Sequence, residues 1–239
     1  MKPFILGAIF ARGGSKGIPR KNIYSLGHKP LLAYAIETGL SVALIDKLIV
    51  STDDQEIAAV ARQYGAEVPF IRPVELAGDH SPEILSWQHA VKEYEAQTGT
   101  TVDILVAIPT TSPLREPGDV QRCLLKLIET DADVVLTVTE SHRNPYFNMV
   151  KIDHDDNVRL VIETGQVIAN RQDVSEVFDI TTVAYAVRAP FLRQAQSLLE
   201  GKVKAVTVPR ERALDIDTML DLEMAEFFLN RKLTPTKNV

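Results

Sequence analysis

The sequence contains almost no cysteine and no long apolar run. Cys123 is the single cysteine, so the chain cannot build a disulfide framework or a cysteine zinc site within itself. Its apolar neighbours at helical spacing predict that Cys123 belongs to the core. No apolar run approaches the roughly 18 residues of a membrane-spanning helix, and the N-terminus lacks the basic and apolar regions of a secretory signal. We therefore expect a cytoplasmic protein without a membrane anchor.

Positive charge is also scarce. Lysine and arginine number 26 against 32 aspartates and glutamates, which gives a formal net charge of −6. This balance argues against a general nucleic-acid binder, although it is compatible with a local basic pocket. The histidines His28, His89 and His154 lack metal-ligand spacing. The length of 239 residues, 45% of them apolar, suits one α/β domain with a modest extension, or two small domains.

The order of the apolar patterns is the main signal of the fold. Short apolar runs alternate with helical patterns, which predicts an α/β fold with a mostly parallel sheet flanked by helices. Ligands of such sheets bind at the carboxyl ends of the strands. The predicted strands are Phe4–Phe10, Lys47–Ser51, Glu67–Ile71, Asp103–Ile108, Val134–Thr139, Thr182–Val187 and Lys204–Thr207. The predicted helices cover about 30–43, 54–64, 82–97, 117–129, 189–200 and 218–231.

A polar, irregular region at about 140–180 interrupts this alternation. It contains two short β-like pieces, Phe147–Ile152 and Val158–Glu163, and the segment Asp153–Asn157 between them has the composition of a hairpin turn. An isolated two-stranded ribbon is marginally stable in water. We therefore expect this extension to pack against something else, and a second subunit is a good candidate.

A glycine-rich basic loop follows the first predicted strand, in the sequence AIFARGGSKGIPRKN. Its glycines, Gly13, Gly14 and Gly17, permit positive φ and close backbone approach. Backbone N–H groups and cations together suit a polyphosphate, although the loop matches neither the Walker motif nor the dinucleotide-binding GxGxxG. We predict phosphate binding, and the alternative is an ordinary flexible basic loop. The cations are Arg12, Lys16, Arg20 and Lys21.

A second loop, Pro109–Arg115, follows a buried strand and offers three hydroxyls and one guanidinium. Two prolines stiffen it. It has two equally good interpretations: a set of hydrogen-bonding groups for a ligand, or a turn that caps the helix starting near Pro117.

A pair of aspartates lies near the C-terminal end, in the run LDIDT. In an extended segment residues i and i+2 face the same way, so Asp215 and Asp217 would present two carboxylates together. Two like charges side by side favour a bound cation, and Mg²⁺ with phosphates uses one or two carboxylates. The alternative is that Asp217 caps the helix from Met219, with Thr218 and Asp221 forming a capping box.

Two further segments lie on the expected active edge. In the run STDD, Asp53 and Glu56 have the spacing of a helix N-terminus, and we favour that structural interpretation. Arg72 and the segment Gly78–Pro82 follow the third predicted strand.

Four of these motifs occur in an order that resembles a known family. The runs ARGGSKGIPRKN, IVSTDDQEIAAVARQYGAEVPFIRP, TSPLR and DIDT are similar to those of the N-acylneuraminate cytidylyltransferases, or CMP-sialic acid synthetases, nearly from end to end. The resemblance implies a single Rossmann-like domain of the nucleotide-diphospho-sugar transferase type, with CTP and Mg²⁺. The anomeric hydroxyl of a nine-carbon 2-keto sugar acid would attack the α-phosphorus of CTP, and pyrophosphate would leave. The extension at 140–180 would serve a homodimer or a dimer of dimers.

The resemblance also assigns roles to individual residues. Those implied to bind the nucleotide are Arg12, Gly13, Gly14, Ser15, Lys16, Lys21, Asn22, Arg72 and Ser81. Those implied to be catalytic are Lys21, Asp217 and Arg12. Those implied to form or support the sugar pocket are Thr111, Ser112, Arg115, Phe147 and Arg171. Asp215 and Asp217 would hold Mg²⁺.

The chain departs from the sialic acid pattern at two positions. Pro109 stands where a glutamine is expected to touch the sugar, and Phe147 stands where the bacterial sialic acid enzymes carry a lysine. The runs RNPYFN and FDITTVAY are instead similar to the CMP-legionaminic acid synthetase branch, whose substrate carries N-acyl groups at C5 and C7 and a deoxy C9. A less polar pocket would suit that sugar. Alternatives are an octulosonate-type cytidylyltransferase, a non-catalytic nucleotide-binding protein of this fold, and a glycosyltransferase of related architecture.

Overall fold

The computed structural model of the chain describes residues 2–163, 165 and 173–233. Arg171, which was predicted to form or support the sugar pocket, lies outside these residues. The strands are β1 Ile5–Phe10, β2 Ser25–Leu26, β3 Lys29–Pro30, β4 Lys47–Ser51, β5 Ile104–Ala107, β6 Val134–Glu140, β7 Val150–Ile152, β8 Val158–Leu160, β9 Phe178–Arg188 and β10 Val203–Thr207. The helices are α1 Leu31–Ser41, α2 Gln55–Gln63, α3 Glu83–Thr98, α4 Pro117–Glu129, α5 Ala189–Leu192 and α6 Met219–Leu233. None of these helices is long and apolar enough to cross a membrane.

A six-stranded sheet in the order β10-β6-β9-β5-β1-β4 forms the centre of the fold. Strand β1 pairs in parallel with β4 and β5, and β10 pairs in parallel with β6. Strand β9 runs antiparallel to both β5 and β6. Apolar clusters pack on the two faces of this sheet, one with α1, α2 and α4 and the other with α3 and α5. The predicted α/β class with a mostly parallel sheet is therefore confirmed.

The predicted strand Glu67–Ile71 was wrong. The structure has two isolated bridges there, Ile49 with Glu67 and Thr52 with Ile71. Pro69 lies between them and cannot donate a backbone hydrogen bond to a ladder, so no continuous strand forms. The predicted helix at 189–200 is also divided, because α5 ends at Leu192 and only a 3-10 turn follows at Leu198–Glu200.

The extension forms a small separate ribbon of β7 and β8, whose strands match the prediction at the turn and are shorter than predicted at the ends away from it. Its turn has the predicted character: Asp153 Oδ1 accepts backbone hydrogen bonds from Asp155 and Asn157, at 3.0 Å each. Asp156 takes the left-handed conformation with φ of 61°. The Asx turn thus sets the reversal of the ribbon.

A third apolar cluster joins two distant loops at the carboxyl edge of the sheet. It contains Ile18 of the opening loop and Ile216 of the aspartate segment, both fully buried, together with Leu222 of α6. Burial of such side chains stabilises the contact by about 1.5–3 kcal/mol each. The cluster therefore brings the basic loop and the aspartate pair to the same place.

Candidate active site

A cleft of about 480 Å³ opens where the loops after β1, β5 and the segment before α3 meet. The start of β9 and the aspartate segment complete its walls. Its lining includes Arg12, Ser15, Lys16, Lys21, Asn22, Arg72, Asp79, Ser81, Pro109, Thr110, Thr111, Thr182, Tyr185, Asp215 and Asp217. Most of the predicted nucleotide-binding side chains thus share one concave surface.

Asn22 fixes the shape of the opening loop. Its side-chain N–H donates to the carbonyl of Arg12 at 2.8 Å, and its side-chain oxygen accepts from Thr110 Oγ1 at 2.5 Å. Asn22 and Thr110 are both buried. Because a buried polar group needs its partners, these two bonds tie the loop after β1 to the loop after β5.

Asp53 and Asp54 both support the opening loop. Their roles differ from the prediction, which placed Asp53 at the helix N-terminus. Asp54, not Asp53, caps α2, and its Oδ1 accepts from the backbone N–H groups of Glu56 and Ile57. Asp54 also binds Arg20 at 2.6 Å. Asp53 instead accepts from the backbone N–H of Gly13 at 3.0 Å. The two aspartates therefore hold the glycine turn of the loop and its basic end.

Lys21 lies beside the aspartate segment. Its Nζ donates to the carbonyl of Ile216 at 2.7 Å and to Asp217 Oδ1 at 3.0 Å. Gly17 permits this approach, because a Cβ there would lie 2.1 Å from the carbonyl oxygen of Asp217. Any side chain at position 17 would push the two segments apart.

Arg12 and Lys16 both bind Asp79. The distances are 2.9 Å from Arg12 Nη1 to Asp79 Oδ1 and 2.9 Å from Lys16 Nζ to Asp79 Oδ2. The hydrogen bond with Lys16, and after it that with Arg12, hold the pKa of the Asp79 carboxyl below its usual value. The segment Gly78–Pro82 was predicted to lie on the active edge, but no sequence motif singles out Asp79 within it.

Asp215 and Asp217 both line the cleft, as their spacing predicted. Asp215 Oδ1 is buried and has no hydrogen-bond partner among the described residues. Asp217 is largely exposed, with Lys21 Nζ as its near cation. A buried acceptor without a donor next to a second carboxylate fits a hard cation such as Mg²⁺, which prefers oxygen ligands.

The helix after the aspartate pair is capped without the Asp217 carboxylate. Asp221 Oδ2 accepts from the backbone N–H of Thr218 at 2.7 Å, and the backbone N–H of Asp221 donates to Thr218 Oγ1 at 3.3 Å. This reciprocal pair is a capping box. The carboxylate of Asp217 is thus left available to the cleft.

A buried ion pair anchors the segment that leads into the aspartates. Arg212 Nε and Nη2 donate to the two carboxylate oxygens of Asp119, at 2.9 Å each, and Asp119 is fully buried in the first turn of α4. Asp119 also forms a capping box with Glu116. The hydroxyls of the loop Pro109–Arg115 therefore do not cap α4, which removes that alternative.

Ser112 and Arg115 lie behind the cleft wall rather than on it. Ser112 is fully buried, with its Oγ 2.7 Å from Thr182 Oγ1. Arg115 donates to the carbonyls of Pro109 and Thr182, and burial lowers the pKa of its guanidinium to about 9. Both fasten the loop to β9, so of the two predicted roles, forming or supporting the sugar pocket, their position is compatible with support.

Thr111 does reach the cleft, and its Oγ1 donates to Thr182 Oγ1 at 3.2 Å. Phe147 is half-buried in the turn before the ribbon and is not among the residues that line the cleft. Thr182 and Tyr185 complete this wall, although the sequence interpretation gave them no role. Burial raises the pKa of Tyr185 to about 12, so its phenol stays a hydrogen-bond donor at neutral pH.

Arg72 lies at the base of the cleft, and only 4% of its surface is exposed. Its Nη2 is 3.7 Å from Asp53 Oδ1, and its Nε has no partner among the described residues. Burial lowers the pKa of the guanidinium, against the opposing charge of Asp53. A buried donor without an acceptor suits a bound polar ligand.

Comparison with known proteins supports the resemblance seen in the sequence. A family model described as cytidylyltransferase matches residues 6–232. Post-translational flagellin modification protein B of Campylobacter coli is 30% identical over 98% of both chains. The CMP-N,N'-diacetyllegionaminic acid synthase of Campylobacter jejuni is 31% identical, with 95% of this chain and 96% of the relative covered. A pseudaminic acid cytidylyltransferase of the same species is 30% identical, with 90% and 92% covered.

The fold also has a close structural counterpart. A CMP:2-keto-3-deoxy-manno-octonic acid synthetase, solved in complex with CTP, superposes with a TM-score of 0.70 at 17% identity. The superposition covers 96% of this chain and 99% of that one. At this identity the likeness concerns the fold alone.

Proposed function

The chain belongs to the cytidylyltransferase family, and from this premise we propose that it joins the cytidylyl group of CTP to a nonulosonic acid and releases pyrophosphate. One observation carries the proposal most directly: Lys21, Asp215 and Asp217 converge in a cleft that also contains Arg12 and Lys16 of the glycine-rich loop and the buried Arg72. That combination provides the charge neutralisation that phosphoryl-type transfer requires.

The reaction needs positioning and electrostatic stabilisation more than a covalent nucleophile. In the proposed complex Arg12 and Lys16 neutralise the triphosphate, and backbone N–H groups of the glycine turn approach it. Lys21, held on the side of the aspartate pair, donates to the α-phosphate, where negative charge grows as the sugar hydroxyl attacks. Arg72 donates to the nucleoside from the base of the cleft.

Asp215 and Asp217 are proposed to hold Mg²⁺. The support is the buried Asp215 Oδ1 without a donor among the described residues and the exposed carboxylate of Asp217, which pairs with Lys21. When bound, the ion would neutralise phosphate charge and lower the pKa of the attacking hydroxyl. Lys21 lies within hydrogen-bond distance of Asp217, so it would share that carboxylate with the ion or turn to the phosphate.

The sugar is proposed to be a nonulosonic acid of the legionaminic type. The wall formed by Pro109, Thr111, Thr182 and Tyr185 carries no charge, and its three hydroxyls can hydrogen-bond to the N-acyl groups of such a sugar. The relatives named for legionaminic and pseudaminic acids are 31% and 30% identical. Since these values do not separate the two sugars, pseudaminic acid is the alternative.

The chain is proposed to form a homodimer. A groove of about 820 Å³ runs between the start of β9 and α6, with Ile180 and Met224 among its walls. More than half of the Ile180 surface is exposed, as is that of Ile152 and Val158 on the ribbon. Clustered exposed apolar side chains of this kind mark interaction sites, and a second copy with the same apolar faces would cover them.

A substrate panel tests the proposed reaction. Pyrophosphate release is measured with CTP, Mg²⁺ and, in turn, legionaminic, pseudaminic, N-acetylneuraminic and 3-deoxy-octulosonic acids, with UTP in place of CTP as the nucleotide control. We expect release with CTP and the highest kcat/KM with legionaminic acid. A preference for N-acetylneuraminic acid would contradict the sugar assignment, and no CTP-dependent release with any acid would contradict the proposed reaction.

A further inference from the structure

The carboxylate of Asp79 forms ion pairs with two cations of the proposed triphosphate site. Asp79 uses one oxygen for Arg12 and the other for Lys16, at 2.9 Å each. Arg12 Nη1 also lies 3.4 Å from the carbonyl oxygen of Ala77, on the same segment. The segment before α3 thus reaches across the cleft to the opening loop, and Asp79 stands where an anionic ligand would be expected.

The two ion pairs are weak enough to be exchanged. The Lys16 side chain is 74% exposed, and those of Arg12 and Asp79 are 36% and 38% exposed. Exposed ion pairs stabilise a fold little, because water and salt screen them. A triphosphate carries several negative charges and more acceptor oxygens than one carboxylate, so it outcompetes Asp79 for both cations.

The cation that pairs with Asp217 is held more firmly than Arg12 or Lys16. The Lys21 side chain is 15% exposed, and its Nζ also binds the carbonyl of Ile216. Ile216 is fully buried in the apolar cluster with Ile18. Lys21 is therefore fixed beside the aspartate segment, although the Asp217 side chain is itself 72% exposed. Asp79 stands on an exposed segment and can withdraw from its two cations.

The local backbone permits that withdrawal. Gly78, Asp79 and His80 are all exposed, and nothing lies within 4 Å of the position of a Cβ at Gly78. The segment is anchored on both sides, by Ser86 Oγ donating to the carbonyl of Leu76 at 3.0 Å and by the start of α3. A short exposed stretch between two anchored points can move without disturbing the core.

We propose that Asp79 sets the affinity of the cleft for polyphosphates, because it neutralises Arg12 and Lys16 until the ligand displaces it. It has two effects: it weakens the binding of CTP, and it assists the release of pyrophosphate by returning to the same cations. The inference rests on the proposed function, since it takes the triphosphate of CTP as the displacing group.

Calorimetric titration of Asp79→Asn tests this without any sugar or turnover. The ligands are CTP, inorganic pyrophosphate and cytidine, which has no phosphate. We expect Kd for CTP and for pyrophosphate to fall about 3- to 10-fold, as the loss of two exposed ion pairs allows, and Kd for cytidine to stay unchanged. Glu75→Gln removes the same charge from an exposed residue of the same segment and should alter none of the three.

The outcomes separate the inference from the function on which it rests. Unchanged or weaker pyrophosphate binding in Asp79→Asn would overturn the inference and make Asp79 a surface ion pair or a support for the two cations. An equal change for cytidine would also overturn it, by showing a general effect on the cleft. A wild-type protein that binds neither CTP nor pyrophosphate would contradict the proposed function itself. Asp79→Ser, with the same expected result, guards against an effect of the new amide.

Discussion

Lys21 Nζ lies 3.0 Å from Asp217 Oδ1, although 196 positions separate the two residues in the sequence. The contact is a product of the apolar cluster beneath it, because Ile18 and Ile216 are both fully buried there. Gly17 allows the backbones to meet. Cation and carboxylate are therefore fixed by the core rather than by their own attraction.

Lys21→Ala should abolish most of the turnover and leave the fold intact. In the proposed complex this cation lies beside the growing phosphate charge, so we expect kcat to fall by about 10²-fold or more. The lost bond to the Ile216 carbonyl should lower the free energy of unfolding by about 1 kcal/mol. Pyrophosphate release and thermal unfolding measure the two effects. Lys47→Ala, in an exposed pair with Glu67, is the control. Near-normal turnover would remove Lys21 from the mechanism.

Asp217→Asn and Asp221→Ala should affect different properties, the Mg²⁺ requirement in the first variant and the stability in the second. Asp217 presents an exposed carboxylate to the cleft, so its loss should raise the Mg²⁺ concentration needed for half-maximal rate and lower the rate. Asp221 belongs to the capping box, so its loss should lower the free energy of unfolding by about 1 kcal/mol with little change in the Mg²⁺ requirement. Magnesium titrations and urea unfolding of both variants distinguish them. If Asp217→Asn changed only stability, its role would be structural.

The stability provided by Asp54 should depend on pH. The hydrogen bond from Arg20, with its charge and two backbone N–H groups, holds the pKa of the Asp54 carboxyl below its usual value, against desolvation. The folded state thus favours the ionised form. Its contribution is complete above the unfolded pKa of about 3.9 and is lost as the pH falls through the lower folded value.

Asp54→Asn keeps a capping side chain and removes the charge. We expect the free energy of unfolding of the wild type to exceed that of this variant by about 1 kcal/mol at pH 7, and the difference to disappear as the pH falls through the lowered pKa of Asp54. Urea unfolding at several pH values measures it, and Glu75→Gln serves as the exposed control. A difference that persisted unchanged at low pH would mean that the charge of Asp54 is not responsible.

Ile180→Glu should convert the proposed dimer into monomers. The side chain is 54% exposed on β9 and borders the apolar groove against α6, where a buried glutamate would be costly. Leu199→Glu changes an equally exposed apolar residue, 64% exposed, in a 3-10 turn away from that groove. Sedimentation velocity should show a dimer for wild type and Leu199→Glu. A monomeric wild type would refute the proposal.

Much of the fold could be predicted from the sequence, because its signals are local. The bounds of β4 and α4 were predicted residue for residue, since an apolar run and a periodic apolar face define them. The failure at Glu67–Ile71 is also local, because Pro69 blocks the ladder. The N-cap of α2 is Asp54 and not the predicted Asp53. Asp53 is therefore available to accept the backbone N–H of Gly13.

The rest of the candidate site depends on contacts that no local pattern encodes. The pairing of Asp79 with the opening loop depends on a segment that folds back more than 60 positions later in the chain. The burial of Ser112 and Arg115 follows from β9, which inserts antiparallel between β5 and β6 and offers Thr182 to both. A motif can identify these residue types, but only the topology decides which of them face the cleft.

Strand β9 has one further consequence. It runs from Phe178 to Arg188, and its register against β6 shifts between Ile180 and Tyr185. The exposed apolar side chain of Ile180 and the cleft residue Thr182 are two positions apart on this strand. Dimer assembly and sugar recognition would thus both depend on strand β9. A substitution that displaced the strand near Ile180 would also displace the hydroxyl of Thr182 in the cleft. Changes selected at the dimer surface would therefore be constrained by the needs of the cleft.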